Sequence, residues 1–321
     1  MGKMTQRSLL YYATLSLVLV VSLVTFVMGC PGPERDETDI TRRYNQEPTI
    51  TVQTEDGEKH QIKLEKYIEG VVAGEMKPNW PLEAYKAQAI LARSYAMQLL
   101  TDNATKDPAG EIPGTHKQAQ AYKPENVTDI ICKAVKETRG KVIVYKNKFV
   151  QAFFHSATGG KTAKATDMGL VDKEPPYLKQ VTSKEEKADP KVKSWKATFP
   201  LAEFEKAARS TGVDIKGLKE VQIGKKDNGG RAVTLRLIHS GGTTEVKANG
   251  VRVALDPEKM KSTMLKRIDV QGSNVVMEGR GFGHGVGLSQ WGAYTMAKDG
   301  KSAKDIIKYY FKDIKIVQLW K

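Results

Sequence analysis

Residues 65–100 read EKYIEGVVAGEMKPNWPLEAYKAQAILARSYAMQLL. A short apolar element, residues 68–73, leads to Gly74-Glu75-Met76; a proline-bearing loop follows, and Pro81 opens a long helix. Proline is favoured at the first helical position, and Glu83 falls in the first turn, where the partial positive charge of the helix end favours a carboxylate. Ala84, Ala87, Ala89, Ala92 and Ala96 put small residues on several faces. Neighbouring elements can then approach closely, which predicts a helix at the centre of the fold. Lys86, Gln88 and Arg93 interrupt it. Lys86 and Arg93 are two turns apart and share a face. Charges there either snorkel to solvent or line a wet groove, because burying them unpaired is costly. Glu75 follows apolar Val71-Val72-Ala73 and precedes Met76. A carboxyl in such surroundings has its neutral form favoured, as a general acid requires. Local sequence alone is equally consistent with a surface-loop glutamate or a helix cap.

Toward the N-terminus, residues 50–64 alternate apolar and polar positions around Asp56-Gly57, the pattern of a hairpin with a tight turn. Residues 31–48 are polar and charged and read as a tether. Residues 9–28, LLYYATLSLVLVVSLVTFVM, carry no charge and are long enough to cross a hydrocarbon core of about 30 Å. Lys3 and Arg7 precede them, which keeps the N-terminus cytoplasmic. The run is longer than a secretory signal and reads as an uncleaved anchor. The alternative is a lipoprotein signal ending at Cys30, for which Val27-Met28-Gly29 is a poor approach. Among the 321 residues, 51 Lys and Arg against 37 Asp and Glu give a net charge of +14. Such a surface suits a polyanion: nucleic acid, anionic lipid or a wall polymer. Two cysteines exclude a disulfide framework and a four-cysteine zinc site.

Toward the C-terminus, residues 140–160 hold two apolar runs joined through Lys146-Asn147-Lys148, a second hairpin. Its exit is His155-Ser156-Ala157-Thr158-Gly159-Gly160. Residues 102–127 form a long polar loop, and a mixed region near 197–253 reads as an insertion with a helix at 201–208 and a strand at 233–239. Residues 279–308 read GRGFGHGVGLSQWGAYTMAKDGKSAKDIIK, with glycine at every second position from 279 to 287. No dinucleotide or Walker fingerprint fits. Alternating glycines instead predict a strand or loop pressed against another backbone. His284 sits among them with its ring accessible. A helix begins near Ser289-Gln290-Trp291 and ends at Asp299-Gly300, and a second, amphipathic one covers 302–311. A Ser–His hydrolase is not supported, because no G-x-S-x-G elbow is present.

These segments together resemble the stage II sporulation protein D family, whose domain also occurs in amidase enhancers. The likeness is carried by Tyr67, Gly70, Gly74-Glu75-Met76, Trp80-Pro81 and the helix that follows, then by His155-Ser156 with Gly159-Gly160, then by the unbroken run from Gly281 to Ala293. It implies an α+β fold of mixed sheets and hairpins around a central helix, preceded by one N-terminal transmembrane helix. The expected division is 1–30 as cytoplasmic tip and anchor, 31–48 as linker and 49–321 as the extracytoplasmic domain. The implied activity is lytic transglycosylation of peptidoglycan glycan strands that lack stem peptides, in support of forespore engulfment. Glu75 matches the catalytic glutamate. Lys86, Gln88 and Arg93 match polar positions of a substrate groove, and His155, Ser156, His284, Ser289 and Gln290 fall in the family's motifs as further substrate-binding candidates. Stage II sporulation proteins P and M and the engulfing membrane of the mother cell are the implied partners. Some relatives bind zinc through one His and two Cys. Here His116 is followed by Cys132 alone, so neither metal nor cofactor is expected. Two other readings compete: a non-catalytic glycan-binding activator of an amidase, and membrane-tethered nucleic-acid binding, which rests on charge alone and lacks a motif.

Overall fold

The computed structural model describes residues 38–53, 58–103, 111–113 and 120–321. The apolar run at 9–28, Cys30, the Asp56-Gly57 turn and His116 lie outside the described residues. Among the described residues no helix is long and apolar enough to cross a membrane.

The chain begins with α1 (Thr38–Arg43), inside the stretch expected as tether. Its Ile40 is buried in the main core, and Tyr44 packs edge-on against Phe149. Glu47 accepts the Glu65 N–H and pairs with Arg139. Residues 38–48 are therefore part of the folded unit. The expected hairpin follows as β1 (Thr49–Gln53) and β2 (Lys59–Lys63), antiparallel, with Ile50 facing Ile62. The chain then enters α2 (Leu64–Glu75) and α3 (Leu82–Asn103).

In α2 the buried residues Leu64, Tyr67, Ile68, Val71 and Val72 recur at the three- and four-residue spacing of a core-facing stripe. The next position of that stripe is Glu75. The apolar element read at 68–73 is thus the middle of a twelve-residue helix. Gly70 and Gly74 leave room for residues 120–123 to lie along it; a Cβ on Gly74 would strike the Ala121 carbonyl. Helix α3 is central, as expected. Ala84, Ala87, Ala89, Ala92 and Ala96 are all fully buried, and α2 packs against it from one side.

Strand β3 (Glu111–Pro113) joins β1 in parallel, inside the region expected to be loop. Helix α4 (Asp129–Glu137) leads into β4 (Lys141–Tyr145) and β5 (Lys148–Phe149), whose two-residue turn places Lys146 and Asn147 at positive φ. Strand β6 (Phe154–His155) follows.

A second hydrophobic core then forms. After α5 (Pro190–Lys193), whose Val192 packs in the first core, it is built by β7 (Trp195–Pro200), α6 (Leu201–Arg209), β8 (Leu218–Ile223), β9 (Thr234–His239), β10 (Gly242–Lys247), α7 (Ala248–Ala254), β11 (Leu265–Gln271) and β12 (Asn274–Gly279). These strands make two three-stranded sheets, ordered β10-β9-β8 and β11-β12-β7. The core runs from Trp195 to Met277, wider than the insertion read at 197–253. The reason is long-range pairing: β12 returns to β7, with Val275 opposite Phe199 and Met277 opposite Ala197.

The chain rejoins the first core through β13 (Leu288–Ser289), α8 (Gln290–Lys298), α9 (Ala303–Tyr310) and β14 (Lys315–Gln318). Strand β13 pairs in parallel with β6, and β14 pairs with β4. Ser302 and Asp305 form a reciprocal capping box on α9.

Candidate active site

Glu75 is the last residue of α2, where the chain turns to an extended Met76. Its Oε1 accepts the Ala121 N–H at 2.7 Å. Its side chain keeps some exposure but sits at the end of the buried stripe. Desolvation by these surroundings pushes its pKa up to about 7, against the opposing pull of the Ala121 N–H and of the Gln290 side chain beside it. The C-terminal end of a helix dipole also disfavours a negative charge. Tyr67, on the same helix, is the titratable neighbour, and the hydroxyl of that buried ring is pushed well above its ordinary range. A carboxyl poised near neutrality can give a proton and then take one back.

The middle and late motifs meet beside it. The glycine-alternating loop lies against residues 153–158, as its composition predicts. Ala157 and Phe282 exchange backbone hydrogen bonds at 2.9 and 2.7 Å. Gly287 adopts φ of 71°, and a Cβ there would overlap the Phe153 carbonyl. Ser289 is the N-cap of α8, accepting the Gly292 N–H at 3.2 Å. Gln290 opens that helix close enough to act on the Glu75 carboxyl, yet its Nε2 makes no hydrogen bond among the described residues. Ser156 supplies its carbonyl to the Trp291 N–H at 3.0 Å. Trp80, next to the loop after Glu75, packs on Trp291 with ring centroids 4.8 Å apart, which brings the early and late motifs together.

His155 and His284 lie with ring centroids 5.6 Å apart. His155 is buried; its Nδ1 donates to the Val286 carbonyl at 3.0 Å and its Nε2 accepts from Thr158 Oγ1 at 2.7 Å. Burial and the nearby Arg231 pull its pKa down to about 3. His284 accepts the Val286 N–H on Nδ1 at 3.1 Å, and burial holds its pKa well below the ordinary value. Both rings are neutral at physiological pH. Their hydrogen bonds shape the loop; His155 is enclosed, while His284 keeps partial exposure.

Three of the proposed groove residues are paired or enclosed within the fold. Arg93 is completely buried and grips Glu65 with both Nε (3.0 Å) and Nη2 (2.6 Å). It is a core ion pair, which corrects its assignment to substrate. Lys86 pairs with Glu83 at 2.7 Å and Glu137 at 2.5 Å, so its charge is neutralised within the fold. Gln88 is fully enclosed on α3, and its amide finds no hydrogen-bond partner among the described residues. Arg93 is interior and Lys86 half-buried; Glu65 satisfies the first, and Glu83, one turn away, together with Glu137 satisfies the second.

Sequence reading missed two features. One is the Ala121 N–H, which no side-chain pattern reveals. The other is Glu185, whose carboxylate accepts the Thr158 and Gly159 N–H groups and the Ser289 hydroxyl. It hides in Lys184-Glu185-Glu186-Lys187, a charged run that reads as solvated loop.

The model of a family described as "Stage II sporulation protein" matches residues 53–145, which carry Glu75 and α3. A family described as a domain of unknown function matches residues 171–287, which carry the second core. Stage II sporulation protein D of Bacillus subtilis is 35% identical over 268 residues, covering 79% of this chain and 74% of that protein. An uncharacterised protein of Brachyspira hyodysenteriae is 31% identical over 260 residues, covering 80% of this chain and 67% of the relative. The amidase enhancer of Bacillus subtilis is 25% identical over 291 residues, but the match spans 39% of its length. With the identity extending across both cores, the chain belongs to the stage II sporulation protein D family.

Proposed function

We propose that this protein is a peptidoglycan lytic transglycosylase that cuts glycan strands lacking stem peptides, with Glu75 as its single acid and base. One observation carries the reading: a carboxyl at a helix end, partly exposed, with its pKa raised to about 7. Most glycosidases place two carboxyl groups across the scissile bond, one of them to activate water or to attack. A transglycosylase needs no water. Glu75 protonates the leaving glycosidic oxygen as the bond to the anomeric carbon breaks. The muramic C6 hydroxyl then attacks that carbon, and Glu75, now ionised, takes the hydroxyl proton. The product is a 1,6-anhydro ring, and the acid is regenerated. Glu185 offers no second catalytic carboxyl, because both of its oxygens are already engaged by donors.

Family membership and the amidase-enhancer relative support a sporulation-linked role at the cell wall. In this reading residues 9–28 anchor the chain, the folded part works outside the membrane, and stage II sporulation proteins P and M are its membrane-bound partners. The amidase-enhancer relative keeps a second reading alive, a binder that stimulates an amidase without cutting. Mass spectrometry of products from purified denuded strands separates these. Anhydromuramic ends are expected. New reducing ends would indicate a hydrolase, and intact strands that still bind would indicate an activator.

A further inference from the structure

We infer that Glu185 is a positioning residue for the Glu75 site: its carboxylate locks the middle motif to the N-terminus of α8, whose Trp291 packs on Trp80 in the loop after Glu75 at 4.8 Å. Its Oε1 accepts the Thr158 N–H at 2.6 Å and the Ser289 hydroxyl at 2.6 Å, and its Oε2 accepts the Gly159 N–H at 2.9 Å. Three donors converge on an acceptor-only group, and such charge-assisted bonds are stronger than neutral ones. The direction at Ser289 follows from the carboxylate, which can only accept: the hydroxyl donates to Glu185 at 2.6 Å, with the Ser156 carbonyl farther off at 3.5 Å, while its oxygen accepts the Gly292 N–H as the α8 cap.

Gln290 is the residue after Ser289. The Trp291 N–H bond to the Ser156 carbonyl is a second tie between the same two segments, one residue further on. Glu185 therefore acts where the middle and late motifs join, from a loop outside both motifs. The groups that face it are Arg231, fully buried and bonded to the Thr158 carbonyl at 2.6 Å, and Tyr310. Those that face Glu75 are Tyr67, the Ala121 N–H and Gln290. The coupling between the two carboxyl groups runs through Ser289 and the first turn of α8, where Gln290 lies beside Glu75 without a hydrogen bond from its Nε2 and Trp291 packs on Trp80.

The inference rests on the proposed role of Glu75, but its first test does not need activity. Carboxyl NMR titration of Glu75 in the full chain is compared for the parent, Glu185→Gln, Ser289→Ala and, as reference, Gln290→Ala. Gln290 favours the ionised form of Glu75, so its loss or displacement moves the titration upward. Glu185→Gln places an amide N–H against a donor and releases the tie; Ser289→Ala removes the same link while leaving the Thr158 and Gly159 bonds. Both variants are expected to shift Glu75 in the direction set by Gln290→Ala. On denuded glycan, kcat should fall about tenfold or more with KM nearly unchanged, as expected when a reacting group is slightly misplaced. A folded variant that titrates Glu75 at the parental pH overturns the inference, even if its melting temperature drops. Should Glu185→Gln fail to fold, Ser289→Ala decides alone. Should the parent cut no glycan, the transglycosylase reading fails, while the titration still decides the positioning role.

Discussion

Helix α2 carries a glutamate near each end, and their surroundings differ in almost every respect. Glu65, in the first turn, is buried and accepts from Arg93 Nε and Nη2, the Gly140 N–H at 2.9 Å and Trp320 Nε1 at 2.8 Å. It sits where the helix dipole favours an anion. Glu75, ten residues on, sits at the unfavourable end and accepts one backbone N–H, with Gln290 beside it. One carboxylate is saturated by donors and holds α2, α3, β4 and the C-terminal segment together. The other is under-supplied and so has a proton to trade. Residue type alone does not separate structure from chemistry here; the number of donors does.

The sharpest way to break this contrast is Glu75→Gln. It keeps the shape and removes the transferable proton. General acid–base catalysis is worth about 10²–10⁴-fold, so cleavage of denuded strands should fall at least about a hundredfold. Glycan binding and folding should persist. A folded Glu75→Gln variant that releases anhydro products at the parental rate would remove Glu75 from the mechanism.

The mirror experiment is Arg93→Ala. Breaking a buried ion pair strands the remaining charge and costs about 3–5 kcal/mol. Urea unfolding should show that loss, and the fraction still folded should cut glycan normally. A stable Arg93→Ala protein with weakened glycan affinity would return Arg93 to the substrate groove.

Local patterns foretold what local physics decides. The alanine-rich α3, the hairpin at Lys146-Asn147 and the starts of the helices near Ser289 and Ser302 were all legible. So was the close approach of the alternating glycines, because Gly287 can take its φ and its contact with Phe153 only without a side chain. The identity of Arg93 was not legible. Its partner Glu65 lies 28 residues away and on another helix, so spacing within α3 shows a charge without showing its counter-charge. Residues 38–48 read as tether because Ile40 and Tyr44 are too few to make a pattern, yet each finds a slot on the finished core. At the site itself the sequence marked Glu75 and Gln290, while the groups that tune them were hidden. A backbone N–H leaves no trace in side-chain composition, and Glu185 looks like any surface glutamate until the fold brings Thr158, Gly159 and Ser289 to it.

The gentlest test reads the contrast as stability against pH. In the folded protein Glu75 holds its proton up to about pH 7, against an ordinary value of 4.5. Between those two values the folded state binds more protons than the unfolded one, so stability falls as pH rises. It is fully present below about pH 4.5, is lost progressively through pH 7, and is flat above that. At 1.36 kcal/mol per unit the loss is at most about 3 kcal/mol, and less where water reaches the carboxyl. Glu75→Gln has no proton to lose and should not show the decline. The variant should therefore gain on the parent by about 1–3 kcal/mol between pH 4 and pH 8, measured by urea unfolding at each pH. Parallel stability curves for the two proteins would mean that Glu75 titrates as an ordinary surface carboxyl, and the contrast with Glu65 would then lose its chemical half.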